Sequence, residues 1–205
     1  MKKRLNSLLF LMLIFPVSFV YSQQGTLHMN LNISGSAPLG DFKEIIPSAS
    51  LRGWNAAVLY GITDQISVGL GAGFQDYYQK NERRLYRSTE GDLSAVMTHS
   101  IQTIPVLLTG RYNFMPQSVV QPYAGLGLGG SMVMFRQLLG EFGGTETNFT
   151  FAARPELGIQ IPFKEGGESA FNLGASYNFL PYNKNGLSNM NSLSVQAGIK
   201  FPMRR

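Results

Sequence analysis

Leu193-Ser194-Val195-Gln196-Ala197-Gly198-Ile199-Lys200-Phe201 alternates without a break. Successive side chains of a β-strand point to opposite faces. Leu193, Val195, Ala197, Ile199 and Phe201 therefore share one side, and Ser194, Gln196, Gly198 and Lys200 share the other. The polar side is small and amide-bearing, with one charge, unlike a solvated surface. Working back along the chain, the pattern recurs. Phe171, Leu173, Ala175, Tyr177 and Phe179 oppose Asn172, Gly174, Ser176 and Asn178. Ile66, Val68, Leu70, Ala72 and Phe74 oppose Ser67, Gly69, Gly71, Gly73 and Gln75, and Leu27, Met29, Leu31 and Ile33 oppose His28, Asn30, Asn32 and Ser34.

Eight such stretches are bounded by turn residues: Thr26–Ser34, Leu51–Ile62, Ile66–Gln79, Thr98–Phe114, Val120–Arg136, Thr147–Phe163, Ala170–Pro181 and Ser192–Pro202. Most exceed the usual soluble strand of about 5–6 residues and reach the roughly 9–11 that a tilted strand needs to cross a bilayer. Connections alternate in length: Gly35–Ser50, Lys80–Met97, Gln137–Glu146 and Tyr182–Asn191 are long, whereas Thr63–Gln65, Met115–Val119 and Lys164–Ser169 are short. Long outside loops and short periplasmic turns alternate in this order in outer-membrane barrels. The expectation is an all-β fold, an eight-stranded antiparallel up-and-down transmembrane β-barrel with both termini on the periplasmic side. Alternation alone leaves a soluble barrel or sandwich open, with its faces reversed. The small polar set suits a narrow lumen, so the apolar set is assigned to lipid.

Aromatic residues at strand ends suggest two interfacial belts. Trp54, Phe74, Tyr78, Phe135, Phe149, Phe151, Phe179 and Tyr182 lie toward the outer rim, and Tyr112, Phe114, Tyr123, Phe163, Phe171 and Phe201 toward the periplasmic rim.

Met1-Lys2-Lys3-Arg4 followed by an apolar run from Leu8 to Val20 reads as a secretory signal peptide over residues 1–22, cleaved after about Ser22. The barrel domain then occupies 23–205. Loss of Lys2, Lys3 and Arg4 brings the net charge from +5 to about +2, which is no nucleic-acid signature. The absence of cysteine excludes a disulfide scaffold, a thiolate metal site and a Cys nucleophile. With 23 Gly, 14 Phe and 9 Tyr, the composition favours strands and tight turns over helices. No peptidoglycan-binding domain is expected, since the last strand ends at the C-terminus.

Gly35-Ser36-Ala37-Pro38-Leu39-Gly40-Asp41-Phe42 resembles the first-loop signature of small outer-membrane β-barrel proteins common in Bacteroidota. Thr103-Ile104-Pro105-Val106-Leu107-Leu108 with Arg111-Tyr112-Asn113-Phe114 is similar to their fourth strand, and Pro122–Gly129 resembles their fifth. Leu193–Phe201 looks like their closing strand. The resemblance implies an outer-membrane address and a functionally mixed family that includes PorT-like, secretion-associated members. Departing from many relatives, this chain carries Pro202-Met203-Arg204-Arg205 after its terminal aromatic.

Several motifs have competing readings. Gly125-x-Gly127-x-x-Gly130 matches a dinucleotide fingerprint in form, but that motif needs a strand, turn and helix. Here it lies inside a strand, and no cofactor is expected. Arg111, Arg154, Glu156 and Lys200 fall on the inward phase, with Gln160. A buried charge needs a partner, so Glu156 is expected to bridge one or both arginines. This lumen network reads either as a selectivity element or, more simply, as a plug, since eight strands enclose little more than side chains. Pro105 and Pro155 are expected to mark bulges. Lys80, Arg83, Arg84 and Arg87 in the second long loop could contact lipopolysaccharide, or simply be solvated. Asp92, His99 and Ser100 supply the ingredients of acyl chemistry, although adjacent strand residues face opposite ways. The sequons at Asn32 and Asn148 lie within strands and read as chance.

The leading expectation is a non-enzymatic barrel with no catalytic, metal or cofactor residues. It would serve as an envelope scaffold, or bind an envelope or secretion-complex protein, among membrane lipids and lipopolysaccharide. A narrow porin is the alternative, and an enzyme modifying lipid A acyl chains the second.

Overall fold

The computed structural model describes residues 25–80, 84–88, 91–95, 97–139, 142–164, 166–184 and 187–203. The expected signal peptide, its cleavage site and Arg83 lie outside them. β-strands occur in chain order at β1 (Leu27–Pro38), β2 (Ser50–Gly61), β3 (Ile66–Lys80), β4 (Arg84–Ser88), β5 (Gly91–Ala95), β6 (Met97–Asn113), β7 (Gln121–Leu139), β8 (Phe142–Pro162), β9 (Ala170–Asn178), β10 (Pro181–Lys184), β11 (Leu187–Asn189) and β12 (Ser192–Met203). One short helix, α1 (Asp41–Ile45), follows β1.

Eight strands close into a barrel in the order β1-β12-β9-β8-β7-β6-β3-β2, every pairing antiparallel. Closure leaves no lateral edge through the wall, as a sheet in hydrocarbon requires. The faces follow the assignment made from alternation. Ile33, Leu70, Leu108, Leu157 and Val195 point outward and are exposed, while His28, Asn30, Asn32, Asn172, Ser194 and Gln196 point inward and are buried. A soluble barrel would show the reverse.

Two of the expected loops contain ladders. The second encloses the hairpin β4–β5, and the fourth encloses the pair β10–β11. The third is strand to its tip, because β7 and β8 run to Leu139 and Phe142. Local alternation ends once both faces leave the bilayer, so these extensions carry no period-2 signal. Pro105 and Pro155 do not form bulges. The β3–β6 ladder keeps one register across Pro105 and lacks only its pairings at Gly73 and Phe74. The β8–β9 ladder breaks at Pro155 and resumes in the same register at Ala153–Phe179. Each proline thus removes a donor without displacing the strand. The bulge lies instead between β1 and β2, where Leu51 and Arg52 together oppose Gly35.

Candidate functional site

The lumen is the concave feature with converging polar groups. It is stacked in three levels. At the periplasmic level Arg111, only 5% exposed, donates to Glu156 Oε1 at 3.0 Å and to Asn30 Oδ1 at 3.4 Å. Its guanidinium carbon lies 4.1 Å from the centre of the Tyr123 ring, a cation–π distance. Tyr123 crosses the lumen because Gly158 and Gly174 are the residues facing it. Tyr123 pairs with Gly158, and Gly158 with Gly174. A Cβ on Gly158 would stand 2.6 Å from the ring, and one on Gly174 2.8 Å from the hydroxyl. Lys200 is buried in this level beside Asn30, its partner in register.

The middle level is a chain of amides. Asn172 Nδ2 donates to Asn32 Oδ1, Asn32 Nδ2 to Asn55 Oδ1, and Asn55 Nδ2 to Gln196 Oε1, at 2.8, 2.8 and 2.9 Å. Gln196 Oε1 also accepts from Arg154 at 2.9 Å, and Arg154 Nε reaches Ser176 at 3.4 Å. Glu156 thus pairs with Arg111, while Arg154 is held by neutral acceptors. Above this, Tyr77 donates to Ser192 at 3.0 Å and shares a 2.7 Å hydrogen bond with Ser36, and Asn178 donates to Ser192 and Ser194.

The third level is apolar and was not anticipated. Phe42 and Ile46, from the segment of α1, are fully buried at the outer mouth with Leu180, Tyr182, Leu187 and Met190 from the fourth loop. They rest on Tyr77, Ile101, Val133 and Phe135 from the wall, with Phe42 and Tyr77 edge to face at 4.8 Å. Leu39 N–H donates to Asn191 O at 2.9 Å, and Ser188 Oγ donates to Asp41. Phe135, Tyr182 and Tyr123 therefore leave the expected aromatic belts. The β7 pair, Tyr123 and Phe135, occupies the odd, inward phase of that strand, whereas Tyr182 packs in the plug. Among the described residues, two lumen cavities of about 40 and 30 Å³ share Asn55, Pro105, Leu107 and Arg154 in their linings. Each has room for only a few waters.

Other expected sites fare differently. The glycines of Gly125-x-Gly127-x-x-Gly130 lie within β7, and the next element among the described residues is the strand β8. His99 and Ser100 are consecutive in β6, and the His99 ring stacks edge-on to Phe135 at 6.2 Å. Its Nδ1 has no hydrogen-bond partner among the described residues. Asp92 lies in β5 opposite Arg87, outside the barrel ladder. Of the second-loop cations, Lys80 ends β3 and faces outward, and Arg84 and Arg87 belong to β4, their side chains outside the described set. Sequence reasoning missed the plug, whose apolar residues sit in non-periodic segments.

A closed eight-stranded barrel with a lipid-facing apolar wall and a hydrogen-bonded interior is an outer-membrane β-barrel protein. The profile of the outer membrane protein beta-barrel domain matches residues 7–201, and the chain belongs to that family. Among solved structures, Neisserial surface protein A is similar at 16% identity, with 86% of this chain and 97% of that one covered and a TM-score of 0.55. OprG from Pseudomonas aeruginosa is similar at 15% identity, covering 89% and 98%, with a TM-score of 0.49. No curated protein matches.

Proposed function

We propose that this protein is a non-conducting outer-membrane scaffold that docks an envelope or secretion-complex protein on its outer side. The observation carrying this reading is the interior: an ion pair, an amide chain and an apolar plug fill it, and the lumen cavities among the described residues measure about 40 and 30 Å³. A conducting pore would have to displace Tyr123, break Arg111–Glu156 and expel Phe42 and Ile46. The outer side supports the docking half. Beyond the bilayer, β3, β6, β7 and β8 continue as a fin, paired with one another. Among the described residues the backbone pairing of β8 on this side ends at the Ala153–Phe179 bridge; beyond it β10 meets β8 through side chains, Thr150 donating to Pro181 O and Asn148 to the Tyr182 hydroxyl, and the β8 backbone edge carries no ladder. An unpaired edge is a template for an added strand.

Planar-bilayer recording of the purified protein tests the reading. The expected result is insertion without stable conductance steps. Steps that change size in Arg111→Ala or Glu156→Gln would overturn it in favour of a narrow porin.

A further inference from the structure

Charge does not balance around the lumen cavities. Their linings contain two guanidiniums, Arg111 and Arg154, but only one carboxylate, Glu156. Arg111 takes that carboxylate at 3.0 Å. Arg154 donates only to the neutral Gln196 and Ser176. Lys200, the third buried cation, has Glu168 of the last periplasmic turn within electrostatic reach. One positive charge, that of Arg154, is left without a counter-charge. A charge taken out of water is costly unless it is compensated.

The lower cavity, about 30 Å³, is lined by both arginines together with Asn32, Asn55 and Thr109. Its unused groups are donors. Arg111 is 6% exposed, and its Nε is buried with no hydrogen-bond partner. Arg154 commits two of the five N–H donors of a guanidinium. The Thr109 hydroxyl makes no hydrogen bond among the described residues, whereas Asn32 and Asn55 are occupied in the amide chain. We infer that this cavity holds one small monovalent anion of the halide class, set between Arg154 and Arg111. A water would fill the volume and leave the charge. Sulfate or phosphate would need more room than a space of about one water allows. With Glu156 already cancelling one guanidinium, a single anion restores neutrality. The ion is a fixed part of the filled lumen, since Tyr123 lies against Arg111 on one side and Tyr77, Leu180 and Met190 line the cavity above.

The test uses the full-length protein refolded into detergent micelles and titrated with urea, with folding read by gel mobility without boiling. Chloride or bromide replaces gluconate stepwise at one ionic strength. Binding of one ion per folded barrel raises the folded-to-unfolded ratio about tenfold for each tenfold increase in halide above its dissociation constant. Sulfate replacing gluconate should give no such logarithmic rise, although it is in general the more stabilising salt. Arg154→Met removes the surplus charge and should abolish the halide dependence. Glu156→Gln enlarges the surplus and should retain it. Equal urea midpoints for wild type in chloride and gluconate mean water only in the cavity and overturn the inference. So does a halide dependence that is unchanged in Arg154→Met. If Arg154→Met gives no folded band, Thr109→Val decides in its place. Deleting that donor should raise the halide concentration for half the effect several-fold, and an unchanged value overturns the site.

Discussion

Arg111 and Tyr123 meet face-on inside the barrel, 4.1 Å from guanidinium carbon to ring centre, and Glu156 closes the group at 3.0 Å. The ion pair lies among low-exposure groups with few waters to replace a lost partner. Removing one member strands the other.

Arg111→Ala is therefore expected to destabilise the folded barrel by about 3 kcal/mol, the usual cost of leaving a buried charge uncompensated. Arg111→Met combined with Glu156→Gln should cost clearly less than the single variant, since neither charge is then left alone. Urea titration in detergent micelles, read by gel mobility without boiling, gives both values.

Glycine at position 158 is required by contact. Gly158→Ala would place a methyl 2.4 Å from Leu173 O and 2.6 Å from Tyr123, a clash with backbone as well as ring. About 2 kcal/mol of destabilisation is expected, within the range for overpacking. Gly110→Ala, on the lipid face with nothing within 4 Å, should be neutral. The same titration compares them.

The plug and the lumen separate by experiment. Ile46→Ser removes a fully buried anchor of the cap and should cost about 2–4 kcal/mol locally. Trypsin should then cut at the exposed Lys43 several-fold faster on intact cells. Conductance should stay absent, because the amide and ion-pair levels below still fill the barrel. Cleavage at the wild-type rate would mean that the plug is held by something other than its apolar contacts.

At the outer fin, Ala153 directs its N–H and C=O toward β9. Alternation then turns those of Thr147 to the same side, where no backbone ladder continues among the described residues. Thr147→Pro deletes an edge donor without touching the ladder to β7, whereas Thr147→Val keeps it. Quantitative cross-linking in the native membrane should show a contact present in wild type and Thr147→Val and lost in Thr147→Pro. The same cross-links in all three would remove strand addition at this edge as the docking mode.

Much of this was legible in the chain itself. The alternation of Leu193–Phe201 and its counterparts gave both faces, because a strand held between lipid and a narrow lumen has no freedom to mix them. The same phase put Arg111, Arg154, Glu156 and Lys200 inside. What escaped depends on register. Tyr123 resembles an interfacial aromatic until Gly158 and Gly174 are known to face it, and no local pattern states that pairing. Phe42, Ile46, Leu180 and Met190 sit in segments with no period, so their burial together arises only from the approach of two distant loops. Leu51 breaks its own alternation, and a bulge is invisible to a rule of period two.

The two loops that build the plug leave the barrel beside the β1–β12 junction, the place where the first and last strands join. Closing that junction brings together parts of the chain separated by nearly its whole length, the slowest kind of contact to form. Phe42 and Met190 come together over this junction, and Leu39 N–H bonds Asn191 O directly across it. The plug is thus a buckle as well as a stopper. A dry apolar clasp lies over the seam from outside, so opening the barrel there must also unfasten a small hydrophobic core.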